Sequence, residues 1–132
     1  MQCRKNEKDM LIDEKTLDDL LAEAARSTRL RMNLDLRDTP QDQSQRMLNA
    51  LLPGTELPIH RHVETSETVV IMRGKMDEVF YDGEHGSEIA RFTLDVRLGH
   101  YGMSIPRGMW HSVEVHEPTV IVEMKDGPYV PR

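Results

Sequence analysis

The sequence predicts an all-β protein, a sandwich or small barrel, preceded by one amphipathic α-helix. From residue 46 onward, short β-rich segments alternate with Gly, Pro and Asp turn residues. Residues 12–26 instead repeat their apolar positions with helical spacing. The length of 132 residues is typical of one domain and short for two.

The first predicted element is a helix over residues 12–26. Its apolar positions follow the spacing i, i+3, i+4, i+7 and are Leu17, Leu20, Leu21 and Ala24. Asp13 is a suitable N-cap, and Ile12 before it can pack on Leu17. We expect this helix to lie across the outside of a larger body.

An arm strand follows, in which Leu30, Met32, Leu34 and Leu36 alternate with polar residues. Such alternation is typical of a half-buried strand. Residues 38–45 then form a polar turn around Pro40. We therefore predict one domain in which residues 1–45 form a helix and arm packed on a barrel of residues 46–132.

The strands predicted for the barrel are RMLNALLP, ELPIHRH, ETVVIMRG, KMDEVFYDG, SEIARFTLDV, GMSIP, HSVEV and TVIVEM. Asp82-Gly83, with Gly86 nearby, predicts a hairpin turn. Residues 125–132 are rich in turn formers and predict an irregular tail.

Composition excludes several classes of function. The formal net charge of −6 provides no electrostatic footprint for nucleic acid or an anionic membrane. No apolar run approaches the roughly 20 residues of a membrane span, and the N-terminus lacks the apolar core of a secretory signal. The single cysteine, Cys3, excludes an internal disulfide. We expect a cytoplasmic protein.

The segment from Gly54 to Gly74 concentrates potential metal ligands. His60 and His62 are two residues apart, so in a strand they would share one face. Glu67 would begin the next strand, and His111 follows a Pro/Gly turn far downstream. Three imidazoles and a carboxylate suit Fe, Mn, Ni, Co or Zn. The absence of a thiolate argues against a structural zinc site.

These residues resemble the two sequence motifs of the cupin superfamily. Glycine, five residues, H-x-H, four residues, Glu, six residues and glycine is the first cupin motif, and Gly54 to Gly74 matches it at every position. The second motif is matched in part by Pro106-x-Gly108-x-x-His111. Its preceding glycine, Gly99, lies one residue further upstream than usual, and Val115 replaces its closing Asn.

The likeness extends over nearly the whole chain to the WbuC family of cupin-fold metalloproteins. It is carried by LIDEKTLDDLLAEAARSTRLRMNLDLR, QRMLNALLPGTELPIHRH and IPRGMWHSVEVHEPTVIVEMKDGPY. The resemblance implies a cupin-type β-jelly-roll barrel (a double-stranded β-helix) with an N-terminal α-helix and arm strand. It also implies one divalent transition metal ion per chain in the barrel mouth. Members of the family are associated with gene clusters for O-antigen or other surface polysaccharides, and the resemblance implies no particular reaction.

Other residues are candidates for contact with a substrate: Arg31, Asn33, Arg46, Asn49 and Tyr81. Ion pairing or core packing is the alternative role for each. If Glu67 and His111 face inward, Val69, Ile71, Val113 and Val115 line the barrel with them. We expect His85 and His116 to be solvated, and Trp110 to point away from His111.

Two function classes follow from these residues. The first is a metal-dependent enzyme, either an isomerase or epimerase or an Fe(II) dioxygenase, acting on a small polar metabolite such as a sugar or sugar-nucleotide derivative. The second is a non-catalytic, metal-dependent module that binds a small molecule or saccharide. A third possibility is an ion that only stabilises the barrel. We expect a homodimer, because small jelly-rolls often protect edge strands by pairing.

Overall fold

The computed structural model describes residues 11–128. Its elements in chain order are α1 (Glu14–Arg26), β1 (Arg31–Asp35), β2 (Ser44–Leu51), β3 (Glu67–Arg73), β4 (Met76–Tyr81), β5 (Glu88–Leu94), a 3-10 turn (Val96–Leu98), β6 (Gly102–Ile105), β7 (Trp110–Val115) and β8 (Thr119–Asp126). No helix among them is long and apolar enough to cross a membrane. The predictions on Cys3, the N-terminus and the last four residues of the tail lie outside the described residues.

The strands form two antiparallel sheets. The larger sheet has the order β1-β2-β8-β3-β6, and the smaller has the order β5-β4-β7. The neighbours β2 and β8 are far apart in sequence, so the barrel is closed by long-range pairing. The predicted fold class, an all-β jelly-roll with an N-terminal helix and arm strand, is confirmed.

Helix α1 begins where the sequence predicts. Asp13 is its N-cap: its side chain accepts from the Thr16 backbone N–H, and the Thr16 hydroxyl interacts with the Asp13 backbone N–H in return. This reciprocal capping satisfies donors that would otherwise lack a partner at the helix start. Leu17, Leu20 and Ala24 form the buried face.

That face covers the outer side of the larger sheet. Leu20 packs in one cluster with Leu48 and Ala50 of β2 and Val120 of β8. Strand β1 contributes its predicted apolar face, including Leu34, to the same cluster. The polar residues of β1 therefore face the barrel interior.

The barrel interior holds a second apolar cluster. Val69 and Ile71 of β3 alternate with exposed residues, as predicted for a strand with one buried face. Val115 belongs to the same cluster, and Val113 packs against it. Since the outer face of β2 is covered by α1 and its inner face by the barrel, most of β2 is buried on both sides.

One predicted strand is wrong. The segment ELPIHRH, residues 56–62, forms no strand and joins the barrel through a single β-bridge between His60 and His111. Pro58 explains this in part, because proline has no N–H to donate to a strand partner. The predicted boundary between residues 45 and 46 falls inside β2, whose pairing with β1 and β8 continues across it.

We predict that the packing of α1 contributes strongly to stability. Leu20→Ala removes a side chain that is 5% exposed and is expected to lower the free energy of unfolding by about 2–5 kcal/mol. Urea unfolding followed by circular dichroism measures the change. The control Lys15→Ala, on the exposed side of the helix, is expected to change it by less than about 0.5 kcal/mol. Equal effects would mean that the helix does not anchor the sheet.

Candidate metal centre

His60 is held against β7 by its own backbone. The His60 N–H donates to the His111 carbonyl at 3.0 Å, and the His111 N–H donates to the His60 carbonyl at 2.8 Å. The Gly108 N–H donates to the His62 carbonyl at 2.8 Å. Gly108 has a φ of +78°, a conformation that favours glycine. These bonds join the two histidine-bearing segments although they are distant in sequence.

The three imidazoles therefore meet at one place. The ring centroids of His60 and His111 lie 4.3 Å apart, and that of His62 lies 5.2 Å from His60 and 5.6 Å from His111. One nitrogen of each ring lies within 4.8 Å of the other two. Glu67 borders this group, with Oε2 at 3.4 Å from His62 Nε2 and Oε1 at 3.9 Å from His111 Nε2.

Two of the rings are oriented by backbone carbonyls. His60 Nδ1 lies 3.0 Å from the Pro58 carbonyl oxygen, and His111 Nδ1 lies 2.9 Å from that of Met109. A carbonyl can only accept, so each of these rings, when neutral, carries its proton on Nδ1 and its lone pair on Nε2. Metal-ligating histidines are commonly oriented in this way. The donor set therefore fits a transition metal ion.

Burial and neighbouring charges shift the pKa values of His111 and Glu67, the two buried ionisable groups of the centre. Burial lowers the pKa of His111 below its ordinary value, in spite of the opposing effects of the Met109 carbonyl and Glu67. Burial opposes ionisation of Glu67. The His62 hydrogen bond and the charges of His111, His62 and Lys125 outweigh that effect and lower the pKa of Glu67. Both shifts favour the ligating forms, a neutral imidazole and a carboxylate.

The centre lines a cavity of about 340 Å³ in the barrel. Of the predicted substrate contacts, Arg31, Asn33 and Asn49 line it as well. Asn49 donates from Nδ2 to Glu123 Oε1 at 3.2 Å. Arg31 donates from Nη1 to the Glu56 carbonyl at 2.9 Å, which holds it beside the loop that carries the histidines.

The structure does not bring Arg46 and Tyr81 to this cavity. Arg46 alternates with the inward-facing residues of β2, and its Nη2 pairs with Asp42 at 3.1 Å. Tyr81 follows a register shift at Phe80, which points inward, and lies outside the cavity lining. Strand parity places both side chains on the other face of their strands.

Five polar residues of the cavity were missed at the sequence level: Arg29, Gln45, Glu78, Glu123 and Lys125. Glu78 had a signal, because it lies between Met76 and Phe80 at an inward position of β4. An acid at a core position is unusual unless it has a role. Arg29 lies between α1 and β1. Gln45 lies on β2, Glu123 and Lys125 lie on β8, and only the pairing of those strands shows that they face the cavity.

The remaining histidines lie elsewhere. His85 is exposed in the turn between β4 and β5, as predicted, and His100 Nδ1 lies 2.9 Å from the Thr93 carbonyl. His116 is not simply solvated, because its Nε2 lies 3.0 Å from Asp77 Oδ2. Trp110 points away from the centre, as expected, and its ring stacks under the Arg61 guanidinium at 4.5 Å.

Asp77, Glu114 and His116 form a second cluster of potential ligands on the outer face of the smaller sheet. Arg91 occupies this cluster: its Nη1 lies 2.8 Å from Asp77 Oδ2 and also contacts Glu114. The guanidinium therefore supplies the positive charge that these acids would otherwise take from an ion.

A family model described as a domain of unknown function, DUF6016, matches residues 12–94. The chain belongs to the DUF6016 family. The match includes His60, His62 and Glu67 of the centre and ends before His111. No curated protein matches the chain. Membership of the WbuC family therefore stays a prediction.

Solved structures with a fold similar to that of this DUF6016 chain include cupin-domain and double-stranded β-helix proteins. A double-stranded β-helix protein from Klebsiella pneumoniae has a TM-score of 0.65 and 15% identity, and the alignment covers 97% of this chain and 93% of that one. A cupin-2 domain protein from Shewanella frigidimarina has a TM-score of 0.55 and 20% identity, with 72% and 79% covered.

The capsular polysaccharide assembling protein CapF from Staphylococcus aureus has a TM-score of 0.66 and 21% identity. The alignment covers 80% of this chain but only 30% of CapF. At these identities the likeness shows the fold, which is that of a cupin.

We predict that His60, and not a solvated histidine, controls metal retention. His60→Ala removes one ligand and is expected to weaken metal affinity by more than the ~10–100-fold that loss of an outer partner costs. Elemental analysis of protein prepared without chelators measures the metal retained per chain. The wild type is expected to retain close to one ion. His85→Ala, in the exposed turn, is the matched control. Equal retention by the two variants would show that the ligands are misassigned.

Proposed function

We propose that this DUF6016 protein is a mononuclear metal-dependent cupin enzyme, akin to the WbuC family, acting on a small polar metabolite. One divalent transition metal ion would be held by His60, His62, Glu67 and His111. The observation that carries the proposal is that three imidazoles, two of them oriented by backbone carbonyls, converge in a polar cavity. When bound, the ion would supply Lewis acidity or, as Fe(II), dioxygen activation.

The cavity suits a small, oxygen-rich ligand. Its volume of about 340 Å³ is near the lower end of ligand pockets, which run from roughly 300 to 1,000 Å³. Asn33 and Asn49 offer amide groups on one wall, and Arg31 and Lys125 offer positive charge. We propose that these residues bind and orient the substrate by hydrogen bonds to its oxygens.

A sugar or sugar-nucleotide derivative in surface-polysaccharide (O-antigen) biosynthesis is the substrate class that we favour. Two independent likenesses support it: the sequence resemblance to the WbuC family, and the structural similarity to a capsular polysaccharide assembling protein. The cavity accommodates one small group, so the rest of a sugar nucleotide would extend to the rim, where Arg29 is exposed.

A non-catalytic saccharide-binding module is the alternative. Such a module needs no groups that exchange protons with its ligand, whereas this cavity contains Glu78, Glu123 and Lys125 beside the histidines. Titratable groups of this kind next to a metal centre are typical of enzymes. We therefore favour the enzyme.

A screen of metabolites by thermal shift tests the proposal. Metal-loaded protein is expected to gain several degrees in Tm with at least one sugar or sugar nucleotide, and chelated protein is expected to gain none. Asn49→Ala should reduce the shift, while Arg46→Ala, whose side chain lies outside the cavity lining, should not. A shift that is the same without metal would refute metal-dependent binding.

We also propose that the protein works in the cytoplasm as a homodimer. Strand β6 is a short edge of the larger sheet, and Val70 and Met72 of neighbouring β3 expose apolar side chains on its outer face. Pairing of two copies would cover such surface. Light scattering is expected to give twice the chain mass of 15.2 kDa, and a monomer at all concentrations would exclude the dimer.

A further inference from the structure

Glu78 is a buried carboxyl group inside the cavity. Its side chain lies on the inner face of β4 with those of Met76 and Phe80. Only 2% of the residue is exposed. Its strand partners are Val113 on β7 and Phe92 on β5, and neither side chain can form a hydrogen bond with a carboxyl group.

The carboxyl of Glu78 has no hydrogen-bond or ion-pair partner among residues 11–128. Lys125 and Glu123, two charged residues of the same cavity, have other partners. Lys125 Nζ lies 3.4 Å from His62 Nδ1, and Glu123 accepts from Asn49. A buried polar group without a partner is costly, so such groups are rare unless a ligand completes them.

The charges around Glu78 decide which form it takes. Glu67 on β3 and Glu123 on β8 are the acids that face it, and His111 on β7 is the nearest histidine-bearing strand position. Lys125 on β8, Arg31 on β1, and His60 and His62 on the loop lie around the same cavity. Burial, followed by the charges of Glu67 and Glu123, raises the pKa of Glu78 well above its ordinary value.

We propose that Glu78 is the proton donor of the cavity, a neutral carboxylic acid whose O–H donates to a carbonyl oxygen of the bound ligand. This inference rests on the proposed function, because it needs a ligand in front of the histidines. It assigns the substrate to small polar metabolites that carry a carbonyl group. An O–H donor without a protein acceptor matches an oxygen that can only accept.

The same group can complete a proton transfer. When negative charge develops on the ligand oxygen, the O–H bond of Glu78 breaks and a ligand O–H bond forms. Glu78 is then a carboxylate, and it regains a proton from solvent through the cavity opening. This transfer moves one proton from Glu78 to the ligand oxygen and needs no oxidant or reductant.

The protonation state is tested on the full-length, chelated protein. In Glu78→Gln the shape is kept and the proton cannot be lost. An unfolded glutamate ionises near pH 4.3, whereas the folded one stays protonated, so raising the pH favours unfolding of the wild type. Relative to Glu78→Gln, the unfolding equilibrium constant of the wild type is expected to rise up to about tenfold per pH unit above that value.

Glu84→Gln, in the exposed turn, is the matched control, and because it retains Glu78 it should keep the wild-type slope. A carboxylic-acid carbonyl band in the infrared spectrum at neutral pH, absent from Glu78→Gln, would support the assignment independently. Equal slopes for the two variants, with no such band, would overturn it.

The donor role is tested on metal-loaded protein with a panel of glyoxylate, pyruvate, dihydroxyacetone and glyceraldehyde. At least one is expected to bind the wild type and Glu78→Gln, whose amide still donates, and to bind Glu78→Leu about tenfold more weakly. If none binds, or if Glu78→Leu binds as tightly, the donor role is overturned. Failure of the proposed function is distinct, because that protein would retain no metal.

Discussion

The backbone pairing of His60 with His111 is the constraint on which the site depends. Residues 56–62 form no strand, so no ladder fixes their register. Two hydrogen bonds to β7 and the bond from Gly108 to the His62 carbonyl take its place. Each bond joins the two motifs directly, although strands β3 to β6 lie between them in sequence. The pairing that closes the barrel here therefore also assembles the candidate metal centre.

The two faces of the larger sheet have different roles: the outer face packs against α1, and the inner face lines the cavity. The outer face is apolar and is covered by α1, which lets β2 and β8 be buried without filling the interior with further hydrophobic side chains. The inner face can then carry polar residues such as Asn49 and Glu123 at one end and apolar ones such as Ile121 at the other. A barrel stabilised only from within would have less room for a polar cavity.

Most of the fold was predictable because its signals are local. The helix, its Asp13 cap, and the inward alternation of β3 each follow from periodicity over a few residues. The resemblance to the two cupin motifs predicted that His60, His62 and His111 lie together at one site. The missing strand at residues 56–62 was not predictable in this way, because His-x-His spacing is the same in a strand and in an extended loop.

Cavity contacts were harder to predict because they depend on which strands become neighbours. Arg46 and Gln45 are adjacent in sequence, yet only Gln45 faces the cavity. Nothing local distinguishes the two faces of β2, since both are buried in part. Glu78 differs from these contacts because its position could be recognised in the sequence. Its carboxyl group lies at an inward strand position between the core residues Met76 and Phe80, which conflicts with the apolar pattern.

The guanidinium of Arg91 affects where a cation could bind on this molecule, because it occupies the second cluster of potential ligands. Asp77, Glu114 and His116 have the spacing of a second ligand set. The guanidinium of Arg91 already forms ion pairs with Asp77 and Glu114. An incoming cation would have to displace a tethered group of like charge. This cluster is therefore a poorer site for a cation than the candidate centre in the barrel.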